Sequence, residues 1–202
     1  MSRVEFWYEF ASTYSYPAAM RVERLAQAAG VAVVWRPFLL GPIFAGQGWS
    51  DSPFNLYPAK GRYMWRDLER ICAREDVPLA LPPVRFPQNS LKAARLALVG
   101  EAQGWTARFS RAVYTANFAG QRDIADDATL AAILAQLDVD AEAAFAAAAS
   151  PEIKERLKAQ TGEARARGIF GAPSFIAGDE LFWGNDRMEE AVGHAARMTA
   201  VR

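Results

Sequence analysis

The chain has 202 residues, with 23 Lys and Arg against 23 Asp and Glu, a balance that gives no electrostatic case for a nucleic-acid or membrane-surface partner. Hydrophobic residues make up 51%, which excludes a disordered chain and fits one domain, or one domain carrying a large insertion. A single cysteine, Cys72, and a single histidine, His194, exclude an internal disulfide and any metal cluster built from the pair.

The start mixes Arg3, Glu5 and Glu9 with apolar residues, unlike a signal peptide. No run approaches the ~20 apolar residues of a membrane span, so a soluble cytoplasmic protein is expected. Residues 3–9, RVEFWYE, are short, aromatic and β-branched, and predict a buried strand. Apolar positions at Ala18, Met20, Val22, Leu25 and Ala28 predict a helix over 14–29, stopped at Gly30. Residues 31–38 predict a second strand closed by Pro37, so the chain opens β-α-β with a parallel crossover. Residues 39–59, with Gly41, Pro42, Gly46, Gly48, Pro53 and Pro58, read as loop.

From about 60 to 167 the pattern is helical, broken by a proline-rich stretch at 78–87. Asn89 is placed to cap a helix that ends at Gly104; another runs over 105–119, and two alanine-rich ones cover 126–137 and 139–149. Ser150 and Pro151 open a further helix that closes at Gly168. Residues 172–178 and 180–184 predict a hairpin around Gly178-Asp179, and 187–199 a last helix. The economical architecture is α/β: a domain in two halves, 1–45 and 168–202, flanking an inserted helical domain over 46–167.

Four places carry candidate chemistry. Ser12, with Thr13 and Ser15, sits where the first strand gives way to a helix. A serine there caps the helix, but the same N-terminal field of unpaired N–H groups stabilises an anion or a thiolate. A serine nucleophile needs a base, and His194 sits late on the last predicted helix with no G-x-S-x-G elbow in the chain, so a Ser-His triad is poorly supported. In GAPSF, Pro173 opens a strand: either an edge or turn proline, or a cis Ala172-Pro173 bond that offers the backbone of Ala172 to a ligand. In WGNDR, Asn185 or Asp186 is a helix cap or a holder of a polar ligand. In YPAKGRYMWRDLER, Lys60 and Arg62 are solvated charges or a grip for a carboxylate.

Together, ASTYSY, YPAKGRYMWRDLER, FPQNSLKAARLAL (86–98), GAPSF and WGNDR resemble the 2-hydroxychromene-2-carboxylate isomerases, over nearly the whole chain. These are relatives of the kappa-class glutathione transferases and of the disulfide oxidase DsbA. The family often has proline where this chain has Thr13. The resemblance implies a thioredoxin-like fold with a large all-helical insertion, glutathione as cofactor, a small aromatic carboxylate as substrate, and a homodimer. It matches Ser12 to the serine that hydrogen-bonds the glutathione sulfur and Ala172, before a cis Pro173, to the residue that pairs with the glutathione cysteine. Asn185 and Asp186 match holders of the γ-glutamyl end, and Lys60 a lysine near glutathione or the substrate carboxylate. Asn55 is a possible further ligand in the loop 48–59.

The implied activity interconverts 2-hydroxychromene-2-carboxylate and trans-o-hydroxybenzylidenepyruvate in aromatic catabolism. A free thiol near pKa ~8.5 is only a few per cent thiolate at neutral pH, so the expected role of Ser12 is to stabilise the glutathione thiolate and not to attack. Tyr8, Tyr14, Tyr63 and Trp65 are available to flank an aromatic substrate, or belong to the core. The alternatives are a kappa-class-like glutathione transferase that conjugates electrophiles, and a non-catalytic glutathione-binding protein of the same fold. Cys72 reads as a small buried apolar residue, and the absence of C-x-x-C disfavours a dithiol oxidoreductase.

Overall fold

Strand β1 (Arg3–Tyr8) runs through the middle of the sheet and decides the layout of everything else. Its side chains alternate between two faces, as the pleat requires. Val4, Phe6 and Tyr8 point into the main core, while Trp7 points into a smaller one with Phe38, Ile43, Ala164, Ile169 and Ile176. A strand covered on both sides reads as a near-continuous apolar run. Glu5 is the exception, and its charge is compensated: Arg167 lies 2.6 Å from its carboxylate and the Trp7 indole donates to it at 2.9 Å.

The computed structural model describes residues 2–200. After β1 come α1 (Ser15–Ala28) and β2 (Ala32–Pro37), which pairs with β1 in parallel, Phe6 facing Trp35. A long helical stretch follows: α2 (Leu40–Gly46), α3 (Pro53–Leu56), α4 (Pro58–Arg74), α5 (Leu91–Gln103), α6 (Thr106–Phe118), α7 (Asp127–Gln136), α8 (Ala141–Ala148) and α9 (Pro151–Ala166). The chain then returns through β3 (Ser174–Ala177) and β4 (Glu180–Trp183) to a short 3-10 turn at Asn185–Arg187 and α10 (Met188–Ala200). The sheet order is β2-β1-β3-β4, with β3 antiparallel to both neighbours. The β-α-β opening, helical middle and β-β-α close are those expected. Phe6 stacks on its cross-strand partner Phe175 with ring centroids 5.2 Å apart, which joins the two halves at the centre of the sheet.

Residues 39–59 are not loop throughout, because their prolines start helices instead of breaking them. Pro53 and Pro58 occupy the first positions of α3 and α4, where a missing N–H costs nothing. Ser52 caps α3 by accepting from the Phe54 N–H at 3.3 Å. Farther on, Gly104 closes α5 at φ 77° and Ser150 caps α9 ahead of Pro151, as predicted; the N-cap position of α5 is Ser90, one residue later than expected, although the Asn89 side chain accepts from the Leu91 N–H at 3.0 Å.

Gly61 lets α3 approach α4 closely: a Cβ there would strike the backbone carbonyl of Phe54. Helix propensity alone favours alanine over glycine by about 1 kcal/mol, but overpacking costs about 1–3 kcal/mol, and a backbone atom cannot swing aside. Gly61→Ala is therefore expected to lower stability in a denaturant titration; a gain in stability would show that α3 lifts away freely.

Candidate active site

The turn between β1 and α1 is held from three directions. The Ser12 N–H donates to the Glu9 carbonyl at 3.0 Å, and the Tyr114 hydroxyl donates to the same oxygen at 2.9 Å from α6. Asn117, also on α6, donates to the Phe10 carbonyl at 3.2 Å. The Glu9 side chain folds back beneath the turn, accepting from the Ala11 N–H at 2.9 Å and from the Ser90 hydroxyl.

Ser12 is half-buried at the top of this turn. Its hydroxyl accepts from the Ser15 N–H at 3.3 Å, at the first residue of α1, and donates to the Ala172 carbonyl at 2.9 Å. Ser12 is thus the side chain that reaches the first N–H of the helix. Thr13 and Ser15 lie at the same break and compete for the role of cap, but neither serves. Thr13 Oγ1 is buried without a hydrogen bond among the described residues, and Ser15 is itself the first helical residue with its side chain buried. The partners of the Ser12 hydroxyl are an amide and a carbonyl, so no base withdraws its proton. His194 lies on α10 against the ring of Phe182.

The Ala172-Pro173 bond is cis. The Pro173 carbonyl accepts from the Gly184 N–H at 2.9 Å, which fixes the end of the β3–β4 hairpin beside it. The chain enters the 3-10 turn just after Gly184, so Asn185 and Asp186 emerge at the same end as Ala172. Asn185 is buried, and its Oδ1 has no hydrogen-bond partner among the described residues. Asp186 is exposed, with the Arg187 guanidinium 3.7 Å away.

Across the gap stands α4. Lys60, Tyr63 and Asp67 fall at i, i+3 and i+7, one face of the helix. The Tyr14 hydroxyl donates to Asp67 at 3.0 Å and so bridges α1 to α4. Burial pushes the Tyr14 phenol well above its ordinary range, with the Asp67 hydrogen bond and charge next and smaller contributions from Tyr63 and Asp186. Asp186 therefore shares the electrostatic neighbourhood of Tyr14, two residues from Ser12. Lys60 is exposed in the first turn of α4, with its ammonium 5.2 Å from the Tyr57 ring centre; Arg62 is exposed as well. The structure thus joins Ser12 to Ala172 directly, and sets Asp186 and the α4 face near Tyr14. The Lys60 ammonium reaches none of the other expected site residues. Asn55 is engaged elsewhere, donating to Asp51 at 3.0 Å and to the Phe86 carbonyl at 3.3 Å.

Of the aromatic residues considered as substrate walls, Tyr8 is core: it is fully buried and its hydroxyl pairs with Ser110 at 2.8 Å. Trp65 packs edge-on against Phe86 with ring centroids 4.9 Å apart. Tyr63, 62% exposed, remains available to a ligand. Cys72 is buried, and burial pushes its thiol up to about 11, so it is inert near neutral pH. Three residues of this region escape a reading of the sequence: Glu9, Tyr14 in its link to α4, and Asp67. Their partners lie far off along the chain, and only the odd placing of a carboxylate in an apolar run hints at Glu9. Among the described residues no cluster of His, Cys, Asp and Glu suits a metal, and no helix is long and apolar enough to cross a membrane.

A serine just ahead of α1, set against the carbonyl of the residue before a cis proline, defines a thioredoxin-type site without its cysteines. The family described as DSBA-like thioredoxin domain matches residues 3–195. The 2-hydroxychromene-2-carboxylate isomerase of Sphingobium xenophagum is 30% identical over 92% of this chain and 94% of its own length. A solved structure of a 2-hydroxychromene-2-carboxylate isomerase superposes with a TM-score of 0.87 at 27% identity, covering 98% of both chains. Human glutathione S-transferase kappa 1 is 28% identical, over 92% of this chain and 87% of its own. The chain belongs to the 2-hydroxychromene-2-carboxylate isomerase family, within the DSBA-like thioredoxin proteins.

Proposed function

We propose that the protein is a glutathione-dependent isomerase that interconverts 2-hydroxychromene-2-carboxylate and trans-o-hydroxybenzylidenepyruvate. The observation that carries the reading is the Ser12 hydroxyl, poised between the first N–H of α1 and the Ala172 carbonyl. The names of the relatives supply the reaction class, and the kappa-class transferase among them supports glutathione.

The residues fit a zwitterionic thiol peptide. The orphaned Oδ1 of Asn185 is a buried acceptor that lacks a donor, and an ammonium or amide N–H would satisfy it. The Ala172 carbonyl offers a second acceptor, suited to a peptide N–H. Glutathione, when bound, supplies a sulfur nucleophile that makes the substrate's C=C bond single while it rotates, and then leaves.

The chain's own residues do the rest. With glutathione bound, the Ser12 hydroxyl would be the donor available to its sulfur, and the Ala172 carbonyl that Ser12 now occupies would be the acceptor available to a peptide N–H. The hydrogen bond from Ser12 and the partial positive charge at the start of α1 both favour the thiolate over the thiol. Lys60, exposed in the first turn of α4, would have to swing away from the Tyr57 ring to meet a substrate carboxylate and charge developing beside it. The glutathione-dependent absorbance change of a hydroxychromene carboxylate tests the reading; turnover at the same rate without glutathione would refute it. The kappa relative supports a second reading as transferase, and consumption of glutathione in proportion to product would select that one.

Asn185 gives a separate check. Asn185→Leu removes a hydrogen bond to a ligand, and about 1.5–3 kcal/mol for a charged partner means roughly 10- to 150-fold weaker binding. The folded protein loses only an unsatisfied buried acceptor, so its stability is expected to hold or rise. Calorimetric titration with glutathione, beside thermal unfolding, reads both. A variant that unfolds more easily yet binds normally would make Asn185 structural.

A further inference from the structure

Two carboxylates of β1 and the turn after it are buried to the same degree, Glu5 at 7% and Glu9 at 6% exposure. They are treated differently by the fold. Glu5 has Arg167 at 2.6 Å. Glu9 has no cation in contact among the described residues; its carboxylate is held by the Ser90 hydroxyl and the Ala11 N–H. Burying a carboxylate without a cation is costly, and this one sits directly behind the residue on which the site depends.

We propose that Glu9 is a positioning residue that acts through its charge, setting the acidity of a thiol held at Ser12. The inference rests on the glutathione reading above. The groups that face Glu9 are neutral: Ser90 ahead of α5, Tyr114 from α6 on its carbonyl, the Ala11 and Ser12 amides, and Tyr8 on β1 close to Tyr114. Burial holds the Glu9 proton up to about 7, against the opposing pull of the Ser90, Ala11 and Ser12 hydrogen bonds. The Glu9 charge in turn raises the Tyr114 phenol, after burial, which keeps that neighbour neutral. So a negative charge appears behind Ser12 as pH rises through neutrality, with no cation beside it. A thiolate at Ser12 is a second negative charge on the same turn, and each makes the other harder to form. The two protons then leave in steps that belong to the pair. With Glu9 protonated, the start of α1 acts on the thiol unopposed; with Glu9 ionised, part of that stabilisation is cancelled.

The test is the ultraviolet thiolate absorbance of glutathione bound to the protein, followed from acid to alkaline pH. Cys72 stays out of the window around neutrality because burial pushes its thiol up to about 11. Wild type is expected to give a broadened, two-step curve. Glu9→Gln is expected to give a single step with its midpoint lowered by about 1 pH unit, the size of a like charge acting across several ångströms at moderate effective dielectric. Ser90→Ala removes a donor from the carboxylate, raises its hold on the proton and moves the break attributed to Glu9 to higher pH; it also keeps the proposal testable if Glu9→Gln folds poorly. A Glu9→Gln curve that overlays wild type, or a Ser90→Ala curve with an unmoved break, overturns the role of Glu9 while leaving glutathione in place. Failure of wild type to bind glutathione overturns the glutathione reading and this inference with it.

Discussion

Ser12→Ala is expected to lower glutathione-dependent turnover of a hydroxychromene carboxylate by about 10²- to 10³-fold, the usual loss when one donor to a developing or held anion is removed. The same hydroxyl also receives the Ser15 N–H, so the variant loses a cap worth about 1 kcal/mol of stability. The two losses separate by measurement: denaturant unfolding reports the cap, and initial rates at saturating glutathione report the donor. Ser12→Thr keeps the hydroxyl and is expected to retain much more of the rate than alanine. A Ser12→Ala enzyme with wild-type turnover would remove serine from the mechanism and leave it a cap.

The second large effect is on stability against pH. Glu9 holds its proton to about 7 in the fold, against an ordinary 4.5 when exposed. Between those values the native state carries a proton that the unfolded chain has released. The native state binds more protons there, so unfolding free energy falls as pH rises through the window. The contribution is fully present below about 4.5 and gone above about 7, and the difference amounts to roughly 3 kcal/mol. Glu9→Gln stays neutral throughout and should not show this loss. Its advantage over wild type in a chemical unfolding series is expected to grow from pH 4.5 to 7 and then level off. A constant gap across that range would mean that Glu9 stays ionised in the fold.

Much of this candidate site is legible in the sequence because its pieces are local. Ser12 at a strand-to-helix break, Pro173 at the head of a strand and Asn185-Asp186 before a helix each announce themselves within a few residues. The helical periods, the Ser150 cap and the Gly104 stop are local too. Where the reading went astray, a local signal had two meanings. Pro53 and Pro58 look like breakers but fill the first positions of α3 and α4. Thr13 and Ser15 compete with Ser12 as caps, yet the turn held by Glu9 and Tyr114 points Ser12 at the helix and buries the other two. What is illegible depends on distant partners. Glu9 becomes unusual only because Ser90 closes over it, and Tyr14 only because Asp67 receives its hydroxyl. No pattern in a window of a dozen residues carries that information.

The position of β1 also sets an order of assembly. One of its edges finds a partner soon, since Arg3 faces Ala32. The other waits for residues at the far end of the chain, since Phe6 faces Phe175. Loop-closure entropy grows slowly with length, but distant pairings still rank among the late and slow events of folding. On the ribosome, nearly all of the helical stretch emerges while that inner edge of β1 is still unpaired, and an unpaired apolar edge is a template for wrong partners. The Ser12–Ala172 contact spans the same gap in sequence. The site is therefore among the last features of the molecule to come into being, and a nascent chain that stops short of Pro173 has the serine but nothing to set it against.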